Sequence, residues 1–273
     1  MGATLWVIGC GQVRYEAAHE AQARLLAARQ ADEIPDLLLL LEHPPVYTRG
    51  RRTDPSELPM GEDWYRAQGI EVCETDRGGR VTYHGPGQLV GYPIVDLAAY
   101  GGDVHEYVRR MEAVMIESLA EHAVEAGTIT GLTGVWTMGA LGPGERDAQS
   151  AAAPIARGLT RKIGSIGIHV SRGVTTHGFA VNVNNDLQPF EWIVPCGIDG
   201  CRMTSLAREH GEARDPAGFA ETVSRRFGEA YERDPEPKEA SRLAAQVDGL
   251  EALVAAGRTP AHAAGNGVGA ALR

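Results

Sequence analysis

Lysine is nearly absent from this sequence. Of its 26 Lys and Arg residues, only Lys162 and Lys238 are lysine. A bias toward arginine codons accounts for the ratio but not for where the two lysines persist. Arginine keeps its charge in any protein setting, whereas lysine can give up its proton. Lys238 stands in a polar Pro/Glu stretch, residues 234–239, the setting of a solvated charge. Lys162 stands between Arg161 and a glycine-rich apolar segment, which makes it the first residue to follow.

Other scarcities exclude whole classes. Four cysteines (Cys10, Cys73, Cys196, Cys201) in 273 residues do not make a disulfide scaffold. The apolar run at residues 37–41 is far short of the roughly 20 residues of a membrane span. Residues 1–10 lack the basic start and apolar stretch of a signal peptide, so a cytoplasmic protein is expected. A formal net charge of −10 argues against a nucleic-acid partner. There is no Walker loop, dinucleotide fingerprint, H-E-x-x-H pair or G-x-S-x-G elbow. Cys196 and Cys201 have no second Cys/His pair at zinc spacing, so no metal and no cofactor are expected.

What remains is ordinary for a globular chain, with 43% apolar and 23% charged residues. Residues 15–31 are rich in helix formers. Residues 103–126 carry Val104, Tyr107, Val108, Met111, Met115 and Leu119 at helical spacing, with Asp103 as N-cap and Gly127 as stop. Residues 215–231 predict a helix opening on Pro216. Strands are expected at residues 4–8, 70–74, 80–84, 89–95, 163–170, 178–183 and 187–193. Residues 36–41 fit a buried strand or a helix segment, and residues 43–54 read as a basic loop. Residues 138–156 read as a surface insertion. Strands cluster in the middle with helices around them, which predicts an α+β domain with a mixed β-sheet flanked by helices. Its expected extent is residues 1–233, followed by a low-complexity, partly disordered tail at 234–273 that can form one weak amphipathic helix over 239–256.

Three segments carry chemistry. The first, RGGRVTYHGPGQLVGYPI (residues 77–94), is rich in Gly and Pro, so its backbone can approach a ligand closely. A hairpin turn would use the same residues. In the second, KIGSIGIHVSRGVTTHGFAVNV (162–183), a strand opens on Lys162 and is interrupted by glycines. A lysine at a strand start is more often a solvated charge, but its rarity here favours function. In the third, PCGI (195–198), Cys196 sits on a tight turn. Most lone cysteines are inert core thiols, and a nucleophile needs a nearby cation or base. Lys162, His84, His169 and His177 are the candidates.

In this order, and with Met203-Thr204-Ser205-Leu206 after the third, these segments resemble the lipoyl(octanoyl) transferase family, over the chain from near its start to about residue 230. The resemblance implies a biotin/lipoate-protein-ligase-like fold. It also implies transfer of octanoyl from octanoyl-acyl-carrier protein to a lysine of a lipoyl domain, in the E2 subunits of 2-oxoacid dehydrogenases and in the glycine cleavage H protein. By the same resemblance Cys196 is the acyl-thioester nucleophile and Lys162 favours its thiolate and moves protons. Arg77, Gly78, Gly79, Arg80, Val81, Thr82, Tyr83 and His84 line the acyl-substrate site, with Ser165, Ile166, Gly167, Gly178, Phe179 and Ala180. A monomer without membrane contact is expected. Arg49, Arg51 and Arg52 offer acidic protein partners a local basic patch. ATP-dependent ligases share the fold but need no nucleophilic cysteine, so the Pro-Cys-Gly turn favours the transferase over a ligase, a scaffold or a thioester hydrolase.

Overall fold

A computed structural model describes residues 3–138, 155, 160–195 and 200–257. In chain order the elements are β1 (Ala3–Gln12), α1 (Tyr15–Gln30), β2 (Asp36–Glu42), β3 (Val46–Arg49), α2 (Glu62–Ala67), β4 (Glu71–Glu74), β5 (Thr82–His84) and β6 (Gln88–Ile94). They continue with α3 (Val104–Glu121), β7 (Ala126–Ile129), β8 (Leu132–Thr137), β9 (Lys162–Ser171) and β10 (Val174–Asn182). The last are α4 (Leu206–His210), α5 (Pro216–Ala230), β11 (Arg233–Pro237), α6 (Ala240–Ala244) and α7 (Glu251–Gly257).

Eight strands form one sheet in the order β11-β1-β2-β6-β10-β9-β8-β7, and β4-β3-β5 form a smaller one. The large sheet is mixed. β1 runs parallel to β2 and β11, and the pairings from β2 through β7 are antiparallel. This is the expected α+β architecture.

The apolar stretch at 36–41 is a strand, and its unbroken character has a cause. Leu38 and Leu40 face one core, with α3 and α5, while Leu37, Leu39 and Leu41 face another, with α1, α6 and α7. A strand covered on both faces has no polar side to present. The smaller sheet has an aromatic core of its own around Tyr47, Tyr65, Tyr83 and Phe190.

Several boundaries differ from the sequence reading. Asp103 caps α3 as expected, accepting from the His105 and Glu106 amides. The helix nevertheless ends at Glu121, where Ala123 turns left-handed at φ 56°, and Gly127 falls inside β7. The basic loop at 43–54 contains β3, whose pairing with both β4 and β5 satisfies its backbone. Residues 187–193 form a 3-10 turn (Gln188–Trp192) that opens on Pro189, and its apolar Phe190 and Ile193 pack into the aromatic core.

The domain boundary expected at 233 cuts into β11, which pairs with β1 from Ala3↔Arg233 to Val7↔Pro237. Beyond it, Ala240, Leu243, Val247, Leu250 and Leu253 are buried against α1 and the sheet. The amphipathic stretch at 239–256 is two short helices, because Gly249 turns left-handed at φ 77° between them. Apart from Met138 and Ile155, the insertion at 138–156 lies outside the described residues, as does the chain after 257. No described helix is long and apolar enough to cross a membrane.

Candidate active site

The three predicted substrate segments lie together. β9 and β10 pair with Gly167↔Gly178, Ile166↔Phe179 and Ser165↔Ala180, so 165–167 and 178–180 are direct cross-strand partners. The strap at 77–79 crosses β9, with the Gly78 amide donating to the Ile168 carbonyl at 2.9 Å. β5 then carries Thr82, Tyr83 and His84 into the smaller sheet against β3, with Val81 fully buried just before it.

Arg77 in this strap is buried. Its guanidinium donates to the Thr48 carbonyl at 2.7 Å, to the Thr48 hydroxyl at 2.8 Å and to the Gly78 carbonyl at 3.0 Å. It thereby ties the strap to β3. Arg80 pairs with the buried carboxylate of Glu57. Arg49 pairs with Glu62 at 2.7 Å and Glu74 at 2.9 Å, so of the expected basic patch only Arg51 and Arg52 stand exposed.

His84 is buried at the end of the strap's strand. The Gln88 amide nitrogen donates to the Asn182 side-chain oxygen at 2.9 Å and to the Tyr83 carbonyl at 3.2 Å, so its oxygen faces His84 Nδ1 at 2.6 Å. His84 must therefore carry its proton on Nδ1 and hold a lone pair on Nε2. Burial, aided by the neighbouring His43, keeps it neutral by pushing its pKa well below the usual imidazole range. His43 is likewise buried, donates to the Val13 carbonyl at 2.6 Å and accepts from the Tyr92 hydroxyl at 2.7 Å, and burial pushes its pKa down to about 4. Asn182 extends the network to the Thr204 carbonyl at 2.9 Å. Sequence reasoning did not single out His43, Gln88 or Asn182; Gln88 and Asn182 stand within the first two motifs, whereas His43 falls in the stretch read as a loop.

Lys162 opens β9 and is 2% exposed. Its Nζ donates to the Thr133 carbonyl at 3.2 Å and lies 5.5 Å from the Trp136 ring centre. Gly134 makes room for it: a side-chain carbon there would stand 2.8 Å from Lys162 Cε, and its φ of 120° suits only glycine. Behind it, Glu112 accepts from the Gly134 amide at 2.9 Å. Burial raises the Glu112 pKa, and the Gly134 hydrogen bond and the Lys162 charge oppose the rise. The Lys162 backbone pairs with the segment that follows the cysteine turn: its amide donates to the Arg202 carbonyl at 2.8 Å and its carbonyl accepts from the Thr204 amide at 2.9 Å.

Cys196 itself, with residues 197–199, lies outside the described residues. Among the others, burial raises the thiol of Cys10 to about 12 and that of Cys73 to about 11, so both stay protonated at neutral pH. His177 and His169 meet at Asp76 rather than at Lys162. The Asp76 carboxylate is 2.7 Å from His177 Nε2, 3.2 Å from His19 Nε2 and 3.6 Å from His169 Nε2. Burial opposes its ionisation, but the His177 hydrogen bond and the imidazoles hold its pKa down at about 2. Burial lowers His177 to about 4 even against that partner.

Residues 14–228 match the lipoyl protein ligase A/B catalytic domain model. An octanoyltransferase of Chloroflexus aurantiacus is 42% identical over 233 residues, covering 85% of this chain and 96% of its own. One of Salinispora tropica is 45% identical over 221 residues, covering 81% and 93%. In fold, the chain is similar to the bi-partite lipoate protein ligase of Thermoplasma acidophilum, at TM-score 0.63 and 14% identity over 93% of this chain and 91% of the other. With two octanoyltransferases above 40% identity across most of its length, this chain belongs to the lipoyl protein ligase A/B catalytic family, among its octanoyltransferases.

Proposed function

We propose that this acyltransferase takes octanoyl from octanoyl-acyl-carrier protein and delivers it to a lysine of a lipoyl domain through a thioester on Cys196. The observation that carries the reading is the placement of Lys162, buried at the start of β9 and paired through its backbone to the segment 202–204 that follows the cysteine turn.

In the first half-reaction the Cys196 thiolate, favoured by the Lys162 ammonium, attacks the donor thioester carbonyl. The new carbon–sulfur bond replaces the old one, and the carrier's sulfur leaves as a thiolate that takes its proton from the Lys162 ammonium. One thioester is exchanged for another, so the step is close to balanced and requires no ATP. In the second, the neutral amine of the lipoyl-domain lysine attacks the acyl-enzyme. The amide forms, the Cys196 sulfur leaves, and the proton lost by the amine passes through Lys162 to that sulfur. The octanoyl chain lies along the paired strands at Ile166 and Phe179, under the strap that Arg77 anchors.

Intact-protein mass spectrometry after mixing with octanoyl-acyl-carrier protein tests the reading. The wild type is expected to gain one octanoyl group that hydroxylamine removes, and Cys196→Ser to lack this thioester. An adduct retained in Cys196→Ser that neutral hydroxylamine, which spares oxygen esters, still removes would overturn it, as would transfer that requires ATP and free octanoate.

A further inference from the structure

Spacing along the chain gave no metal site, yet among the described residues the fold assembles one set of donors from three distant segments. His19 on α1, Asp76 between β4 and β5, and His177 on β10 place their Nε2, carboxylate oxygen and Nε2 atoms all within 4.8 Å of one another. We propose that His19, Asp76 and His177 bind a divalent transition-metal ion of the zinc class, which clasps α1 and the substrate strap to the sheet.

The donor set suits such an ion. Two imidazole nitrogens and one carboxylate oxygen are the ligands of open zinc sites, and they disfavour calcium and magnesium, which take oxygen donors. Bond lengths of about 2.0–2.1 Å in a tetrahedron put neighbouring donors about 3.3 Å apart. His19 Nε2 and Asp76 Oδ1 already stand 3.2 Å apart. His177 Nε2 is 2.7 Å from the same oxygen, so it needs to withdraw by only about half an ångström on that geometry. The two histidines then bind as Nδ1–H tautomers, their Nε2 protons having moved to Nδ1.

Two features orient the ligands beforehand. Gln22, one turn along α1 from His19, accepts from the His177 amide at 2.6 Å, so the helix that carries one ligand is bonded to the backbone of another. His177 holds a left-handed backbone at φ 56° inside its strand, a conformation that a branched side chain resists and that aims this ring at Asp76. His169 stays on the second carboxylate oxygen, 3.6 Å away, as an outer partner, and water takes the remaining position. Asp76 immediately precedes Arg77, so an ion here would fix the root of the strap independently of the acyl chemistry.

The test uses full-length, tag-free protein stripped with chelator, titrated with Zn²⁺ in a calorimeter and then melted with and without the ion. One Zn²⁺ per chain and a raised Tm are expected. His19→Ala, on a partly exposed helix position, and Asp76→Asn should each weaken binding by about 10–100-fold and remove the shift in Tm. Absence of saturable binding would overturn the site. So would undiminished affinity in both variants, which would put the ion on other donors such as the thiols.

Discussion

At the scale of single residues, the proposed chemistry rests on Lys162 being a lysine. Its head is buried against the Thr133 carbonyl and the Trp136 ring, in a space that Gly134 leaves open. Lys162→Arg keeps the charge but brings a larger, planar group that does not release a proton in proteins. Octanoyl transfer, followed by mass gain on a lipoyl domain, is expected to fall by at least about 100-fold, the lower end of a general acid–base contribution. An arginine variant as fast as wild type would remove proton transfer from the mechanism. That one of the two lysines is the candidate for this chemistry was legible in composition and motif. That it sits against a tryptophan and a glycine on neighbouring β8 was not, because those contacts cross strands far apart in sequence.

The buried histidines give the protein an acid limit. His43 has a folded pKa of about 4 against an ordinary 6.5, so between these values the unfolded chain binds a proton that the folded one refuses. Its contribution is fully present above pH 6.5 and is lost as pH falls toward 4, amounting to about 3 kcal/mol over that window. Urea unfolding across this range should show stability falling with acid. His43→Phe should reduce the proton uptake on unfolding by nearly one, whatever it does to stability at pH 8. An unchanged pH slope would mean that His43 is protonated in the fold.

At the scale of elements, the site depends on β6 and β10 lying unusually close. A side-chain carbon on Gly178 would stand 2.2 Å from the Gly91 carbonyl and 2.5 Å from Pro93 Cδ, both on a neighbouring strand. Backbone on a central strand cannot yield as a flexible side chain would. Gly178→Ala should therefore destabilise by about 1–3 kcal/mol or more, read by chemical denaturation, and displace Phe179. A neutral substitution would show that the strands can part. The glycine-rich motifs announced close approach, but not what approached: Gly178 meets a neighbouring strand, and the 77–79 strap meets β9. The 3-10 turn at 188–192 shows the opposite failure, a stretch of strand length that Pro189 turns into a tight coil around Phe190.

At the scale of the whole molecule, the C-terminal segment is structural. β11 completes one edge of the sheet, and α6, α7 and the turn between them bring Leu243, Leu250 and Leu253 into the core beneath α1. Each such side chain is worth about 1.5–3 kcal/mol on burial. Together they rival the 5–15 kcal/mol by which a domain of ordinary stability holds together. A chain ending at Glu232 is expected to lose its cooperative thermal transition, followed by circular dichroism. A truncated chain melting at the wild-type temperature would assign the segment to the surface.

The sequence by itself determined the class of architecture and the family, and it singled out the groups to which the proposed chemistry is assigned. These rest on local patterns: helical spacing, turn residues, and motifs whose residues are neighbours along the chain. Only the tertiary structure decided that residues 234–257 join the sheet and the core, that Arg49 and Arg80 are neutralised by Glu62, Glu74 and Glu57, and that His19, Asp76 and His177 meet. Each of these depends on segments separated by many residues, and their pairing follows from which apolar faces the sheet has to cover.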